Sequence, residues 1–215
     1  MKAHFFALVL STTLVFAGAS AAQEVTYRIT VEGAWTAASH PHEYPSDAHF
    51  SWMTGATHDE DYRLFEAGGA ATPGLEALAE DGELTPYDEE IQAAIDQGSA
   101  GALFQARPID KMPGTTTFEI TLDQRHPLVS LVTMIAPSPD WFTGVADVRL
   151  LENGAWVAEK TLDLEAWDAG TDSGATFTSS DADTMPREAV RLLDTEHFAI
   201  DGKIVPVGTV TFKRL

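Results

Sequence analysis

Asp140, Asp168 and Asp172 are the residues of this chain whose type and setting most suggest chemistry. Asp140 stands in Ala136-Pro137-Ser138-Pro139-Asp140-Trp141, and the other two stand in Asp168-Ala169-Gly170-Thr171-Asp172-Ser173-Gly174. Proline fixes φ just before Asp140, and Gly170 and Gly174 permit tight bends around the later pair. Short carboxylates held on rigid loops suit a hard cation such as Ca²⁺, which takes six to eight oxygens from Asp, backbone carbonyls and water. The same residues have a second reading. Asp140 can cap a turn, and Asp168 and Asp172 can close an Asx-type loop on backbone amides.

Four histidines form another group: His40, His42, His49 and His58. On a strand, His40 and His42 would share one face, a geometry suited to Zn²⁺ or Cu²⁺. Buried histidines that hydrogen-bond loop carbonyls are the simpler reading. Catalytic motifs are weak. There is no G-x-S-x-G elbow, H-E-x-x-H, phosphate loop or cysteine nucleophile. The clusters Asp59-Glu60-Asp61, Glu80-Asp81 and Asp88-Glu89-Glu90 read as solvated faces in so acidic a chain. His126 and His197, the other candidate bases, are not placed beside Asp140 by sequence.

The elements that must position these residues follow from periodicity. Val25 to Val31 alternates as a half-buried strand, and an ordered excursion from Trp35 to Gly55 follows, with a short strand near 49–53. Residues 59–110 read as the helical part. Thr85 is expected as N-cap with Pro86 at the first helical position, an apolar face of Ile91, Ala94 and Ile95, and a stop at Gly98. Leu75, Leu78 and Ala79 suggest a shorter helical turn. Thr115–Leu122, Gly144–Leu151, Trp156–Leu164 and Val205–Phe212 read as strands, and the nearly continuous apolar run Leu128–Ile135 as a central strand buried on both sides. The expected class is mainly β: an antiparallel β-sandwich with an inserted helical segment over about residues 73–98. Trp141 and Phe142, next to Asp140, are expected to supply at least one core residue. An exposed one would mark a binding edge.

Residues 1–22 have the pattern of an export signal: Lys2, an apolar run from Phe5 to Phe16, and Ser20-Ala21-Ala22 before Gln23. About 190 residues then remain, enough for one domain over 23–215 with a real core. With no cysteine, no disulfide contributes. The chain has 33 acidic against 13 basic residues, a net charge of −20 with His neutral, which repels nucleic acid and attracts cations.

The run Leu128–Ile135 followed by A-P-S-P-D-W-F-T-G-V, and then D-A-G-T-D-S-G at 168–174, resembles the signatures of the spondin N-terminal domain family. Trp35-Thr36-Ala37-Ala38-Ser39-His40-Pro41, Tyr44-Pro45, His49-Phe50-Ser51 and Gly55-Ala56-Thr57-His58 resemble its first signature. Members include extracellular-matrix proteins and bacterial secreted proteins, and the resemblance is to the bacterial secreted kind. It implies Ca²⁺ binding by Asp140, Asp168 and Asp172. The expectation is a secreted or periplasmic, non-enzymatic adhesion or recognition module, a monomer whose partner is an extracellular or envelope protein or a glycan. The alternatives are a metal-dependent hydrolase using the same carboxylates, or an exported copper or zinc protein using the histidines.

Overall fold

The computed structural model describes residues 24–215, so the expected export signal lies outside the described residues. In chain order the first half runs β1 (Val25–Gly33), β2 (His49–Phe50), β3 (Met53–His58), α1 (Pro73–Asp81), α2 (Tyr87–Gln97), β4 (Ala100–Ala106) and β5 (Gly114–Leu122). Next come β6 (Leu128–Ala136), β7 (Trp141–Arg149), β8 (Leu151–Glu152), β9 (Ala155–Trp156), β10 (Glu159–Leu164) and β11 (Ala166–Asp168). The chain ends with β12 (Arg191–Leu192), β13 (Ala199–Ile200), β14 (Lys203–Ile204) and β15 (Gly208–Arg214).

Two antiparallel sheets form the sandwich. One has the order β10-β15-β1-β5, and the other the order β12-β11-β7-β6-β3-β4 with β2 also on β6. Alternation in β1 turns Tyr27, Ile29 and Val31 into the core between the sheets. The helices cover the outer face of the larger sheet and close a second core with Leu75, Leu78, Tyr87 and Ile91. This third layer explains why all nine residues of β6 are buried. Val129, Leu131 and Ile135 belong to the core between the sheets, and Val132 to the core under the helices. Each such side chain contributes about 1.5–3 kcal/mol relative to exposure.

The helical segment differs from expectation in three places. Leu75, Leu78 and Ala79 lie on a full nine-residue helix, with Pro73 in its first turn and Thr72 Oγ1 accepting from Leu75 N at 3.1 Å. Pro86, not Thr85, takes the cap position of α2. The Thr85 hydroxyl instead donates to Asp88 Oδ1 at 2.9 Å. Residues 100–106, read as part of the helical region, form strand β4 paired along β3. Strand bounds also shift. β7 begins at Trp141, because Phe142 and Thr143 already pair with β6 and β11. The expected strand from Trp156 splits, with Trp156 in β9, which forms a hairpin with β8, and Glu159–Leu164 in β10.

Candidate metal centre

The β6–β7 loop and the segment after β11 meet at one end of the larger sheet. Asp168 pairs with Trp141 across β11 and β7, and Ala169 N donates to the Asp140 carbonyl at 3.1 Å. Asp140 is fully buried. Its Oδ2 accepts from Thr171 N at 2.8 Å and Asp172 N at 3.2 Å. Gly170 turns the chain with φ +74°, and a Cβ there would lie 2.5 Å from the Glu188 carbonyl oxygen. Gly174 serves differently, since its Cβ would lie 2.7 Å from Pro139 Cγ.

The other two aspartates hold loop amides, as the Asx reading expects. Asp168 Oδ1 accepts from Gly170 N at 2.8 Å, and its Oδ2 accepts from Arg191 Nη2 at 2.6 Å. Asp172 accepts from Gly174 N at 2.5 Å and Ala182 N at 2.6 Å. What remains is Asp140 Oδ1, buried and without a hydrogen-bond partner among the described residues. A buried carboxylate oxygen left bare is costly unless a cation or donor meets it.

Glu80 is the member that sequence reasoning missed. It lies in the last turn of α1, where no basic residue offsets the negative end of the helix dipole. Its Oε1 is also buried without a partner among the described residues. Glu80-Asp81 just before the Gly82 cap was the available signal: two acids at the wrong end of a helix. Burial raises the Glu80 pKa; the Thr171 hydroxyl draws it back, and the charges of Glu76 and Asp140 raise it further. Burial likewise raises Asp140, against the Thr171 and Asp172 amides, with Asp172 adding to the rise. Asp168 is pushed up to about 6, by burial first and the Asp140 charge second, with Arg191 opposing. A cavity of about 230 Å³ opens beside Glu80, Pro139 and Asp172.

The donor set fits a hard divalent cation: carboxylates gathered at one loop end, with the Asp140 charge raising the pKa values of Glu80 and Asp168, and two of the carboxylates carrying a bare buried oxygen. Asp140 and Glu80 already present those oxygens. Full convergence of Asp168 and Asp172 requires turning them from Arg191 and from the loop amides.

The four expected histidines do not assemble. His40 is buried, with Nδ1 2.9 Å from Ser39 Oγ and Nε2 3.1 Å from the Val205 carbonyl. His49 Nδ1 meets the Asp47 carbonyl at 2.8 Å. His58 bridges the Asp59 carbonyl (2.7 Å) and Ser130 Oγ (2.8 Å). Only His42 has metal-ligating company, and that company is Glu43 and His197. The Ser130–His58 contact has the spacing of a nucleophile and its base, but both residues are fully buried and Ser130 Oγ already accepts from Asp147 N. Trp141 and Phe142 are both core, on opposite sides of the sheet. Among the described residues the exposed aromatic is Trp52, at 46%.

A two-sheet sandwich with a helical cover and an acidic loop end is thus the class of domain that the fold and site define. The family model described as Spondin_N matches residues 25–200, and the chain belongs to the spondin N-terminal family. It is 36% identical to Spondin-2 of Rattus norvegicus over 202 residues, covering 88% of this chain and 61% of that protein. To Spondin-2 of Homo sapiens it is 39% identical over 168 residues (76% and 51%), and to Spondin-1 of Mus musculus 37% over 174 residues (78% and 21%). The chain therefore spans between a fifth and three fifths of these relatives. No helix among the described residues is long and apolar enough to cross a membrane.

Proposed function

We propose that this chain is an exported recognition module of the spondin type. Its loop end is organised by Ca²⁺, and it binds a protein or glycan outside the cell without turning over a substrate. The observation that carries the metal is the bare, fully buried Asp140 Oδ1. Asp140, Asp168 and Asp172 are the proposed ligands, with Glu80 added from α1. Ca²⁺ there supplies charge neutralisation and a fixed loop geometry. The protein's part is to hold Pro139 and the Gly170–Gly174 bend so that the carboxylates face one another. The recognition role rests on kinship with the spondins. The non-enzymatic role is supported by the sealed Ser130–His58 contact and by carboxylates tied to backbone amides rather than to a base.

At about a hundred times its dissociation constant, Ca²⁺ should stabilise the fold by about 2.7 kcal/mol. Asp168→Asn should remove most of that gain. Identical melting curves in EGTA and in Ca²⁺, at matched ionic strength, would overturn the metal. Hydrolysis of ester, phosphate, glycoside or peptide substrates that disappears in a folded Asp140→Ala variant would replace recognition by catalysis.

A further inference from the structure

A second constellation lies on the other side of Trp141, independent of the carboxylate end. The segment His40–Tyr44 is anchored at both ends: His40 Nε2 at the Val205 carbonyl, and the Tyr44 hydroxyl donating to the Trp35 carbonyl at 3.1 Å. Between these anchors Glu43 takes φ +50°, a left-handed conformation that residues with a side chain rarely adopt without reason. His197 comes from the loop before β13. That loop is closed by Phe198 N on the Thr195 carbonyl at 2.9 Å, and its ring lies against Trp141 (centroids 5.2 Å apart) and Phe177 (5.0 Å). Val205 ties the two loops together, since it accepts from His40 and donates its N–H to the Phe198 carbonyl at 2.8 Å.

One ligand atom each from His42, Glu43 and His197 lies within 4.8 Å of the others. His197 Nε2 is 3.2 Å from Glu43 Oε2, and Glu196 Oε2 is 3.5 Å from His42 Nδ1. Metal–nitrogen bonds of about 2.0–2.1 Å place tetrahedral ligands about 3.3 Å apart, so the first of these spacings is already that of a coordination shell. Ion pairing accounts for a carboxylate beside each imidazole. It does not account for the two imidazoles meeting edge to face with their centroids 4.7 Å apart.

We propose that His42, Glu43 and His197 form a binding site for a borderline divalent transition ion, Zn²⁺ foremost, with Glu196 or water as the fourth ligand. Two imidazoles and one carboxylate suit such an ion and not Ca²⁺, which requires more oxygens. The two sites therefore sort cations by chemistry.

The test uses tag-free protein stripped with EDTA and then kept in excess Ca²⁺, so that the carboxylate end does not compete. Calorimetric titration with Zn²⁺ should give one ion per chain, and Co²⁺ should give the visible bands of a four-coordinate site. Loss of an outer hydrogen-bonding partner alone weakens metal sites about 10–100-fold, so His42→Ala should weaken Zn²⁺ binding by about a hundredfold or more. His42 is half exposed and its removal leaves the core intact. Glu43→Gln should weaken binding and abolish the cobalt bands, whereas Glu119→Gln, at an exposed carboxylate on the smaller sheet, should change neither. The proposal is overturned if Zn²⁺ binding is unsaturable, if it persists in His42→Ala, or if it is lost in Glu119→Gln.

Discussion

The carboxylate end and the histidine corner share Trp141, yet they are built in opposite ways. Trp141 follows Asp140 in the chain and pairs with Asp168 through its backbone, while its ring packs on His197. At the carboxylate end the rigidity is local. Prolines, a left-handed glycine and Asx turns lie beside the aspartates themselves. In the histidine corner the rigidity is tertiary. Glu43 and His197 are 154 residues apart, and a hydrogen bond from His40 to Val205 with aromatic walls holds them together. Local turns thus shape the two aspartate loops, while packing alone assembles the histidine corner.

The strongest way to break this comparison is to remove the shared wall. Trp141→Ala and Phe142→Ala should each cost about 3–5 kcal/mol in chemical denaturation, since both side chains are fully packed. Only the first should also disable the histidine corner. Phe142 packs on Phe65 beneath the helices, away from His197. Equal Zn²⁺ affinity in Trp141→Ala and the unaltered protein would show that the corner needs no such wall.

Asp140→Asn should change sign with the ion. In Ca²⁺ the variant should forfeit the stabilisation of about 2.7 kcal/mol that a near-saturating ion gives. In chelator it should be neutral, or up to about 1 kcal/mol more stable. Asparagine keeps an acceptor for Thr171 N and Asp172 N. It removes a buried charge beside Asp168 and Glu80 and sets an amide donor where Oδ1 was bare. Destabilisation in chelator, seen in the melting midpoint, would mean that the native contacts favour the charged carboxylate.

The same contrast explains what the sequence disclosed. The nearly continuous apolar run of β6 predicted a strand covered on both faces, and the turn-rich loops at 136–141 and 168–174 disclosed the three aspartates. Pro73 marks the start expected for the helical segment, and Thr72 as its cap makes α1 a full helix where Leu75, Leu78 and Ala79 alone suggest a shorter turn. β4 escaped because Ala100–Ala106 carries exposed and half-exposed side chains on an edge, so no alternation marks it. Glu80 looked like one solvated acid among many, and only the fold turns it toward Asp140. His42 and His197 share no local pattern. Their meeting depends on loops that the hydrophobic periodicity leaves unplaced.

Thr72→Ala should have a moderate effect, about 1 kcal/mol, by removing the acceptor for Leu75 N at the start of α1. Because α1 carries Glu80, Ca²⁺ affinity should fall slightly while Zn²⁺ affinity stays unchanged. A loss of Zn²⁺ binding would couple the two regions through the helical layer, contrary to their separate construction.

The smallest expected effect is a slope with pH, and it separates general acid sensitivity from that of the two sites. His58 lies at the far end of β3, fully buried between Ser130 and the Asp59 carbonyl. Burial holds its pKa below the ordinary histidine value, with the Asp59 carbonyl and the Asp147 charge opposing that shift. The unfolded chain takes up a proton near pH 6.5 and the folded one only lower. The stability that the neutral ring contributes is therefore complete above that pH and is lost as pH falls through the depressed folded value. His58→Gln keeps a donor for the Asp59 carbonyl and an acceptor for Ser130, and it does not titrate. Denaturation midpoints between pH 7.5 and 5 should fall less steeply in this variant, by the same difference with and without Ca²⁺ or Zn²⁺. A difference in slope that vanishes when either ion is added would place the acid response in the metal regions and not in the core histidine.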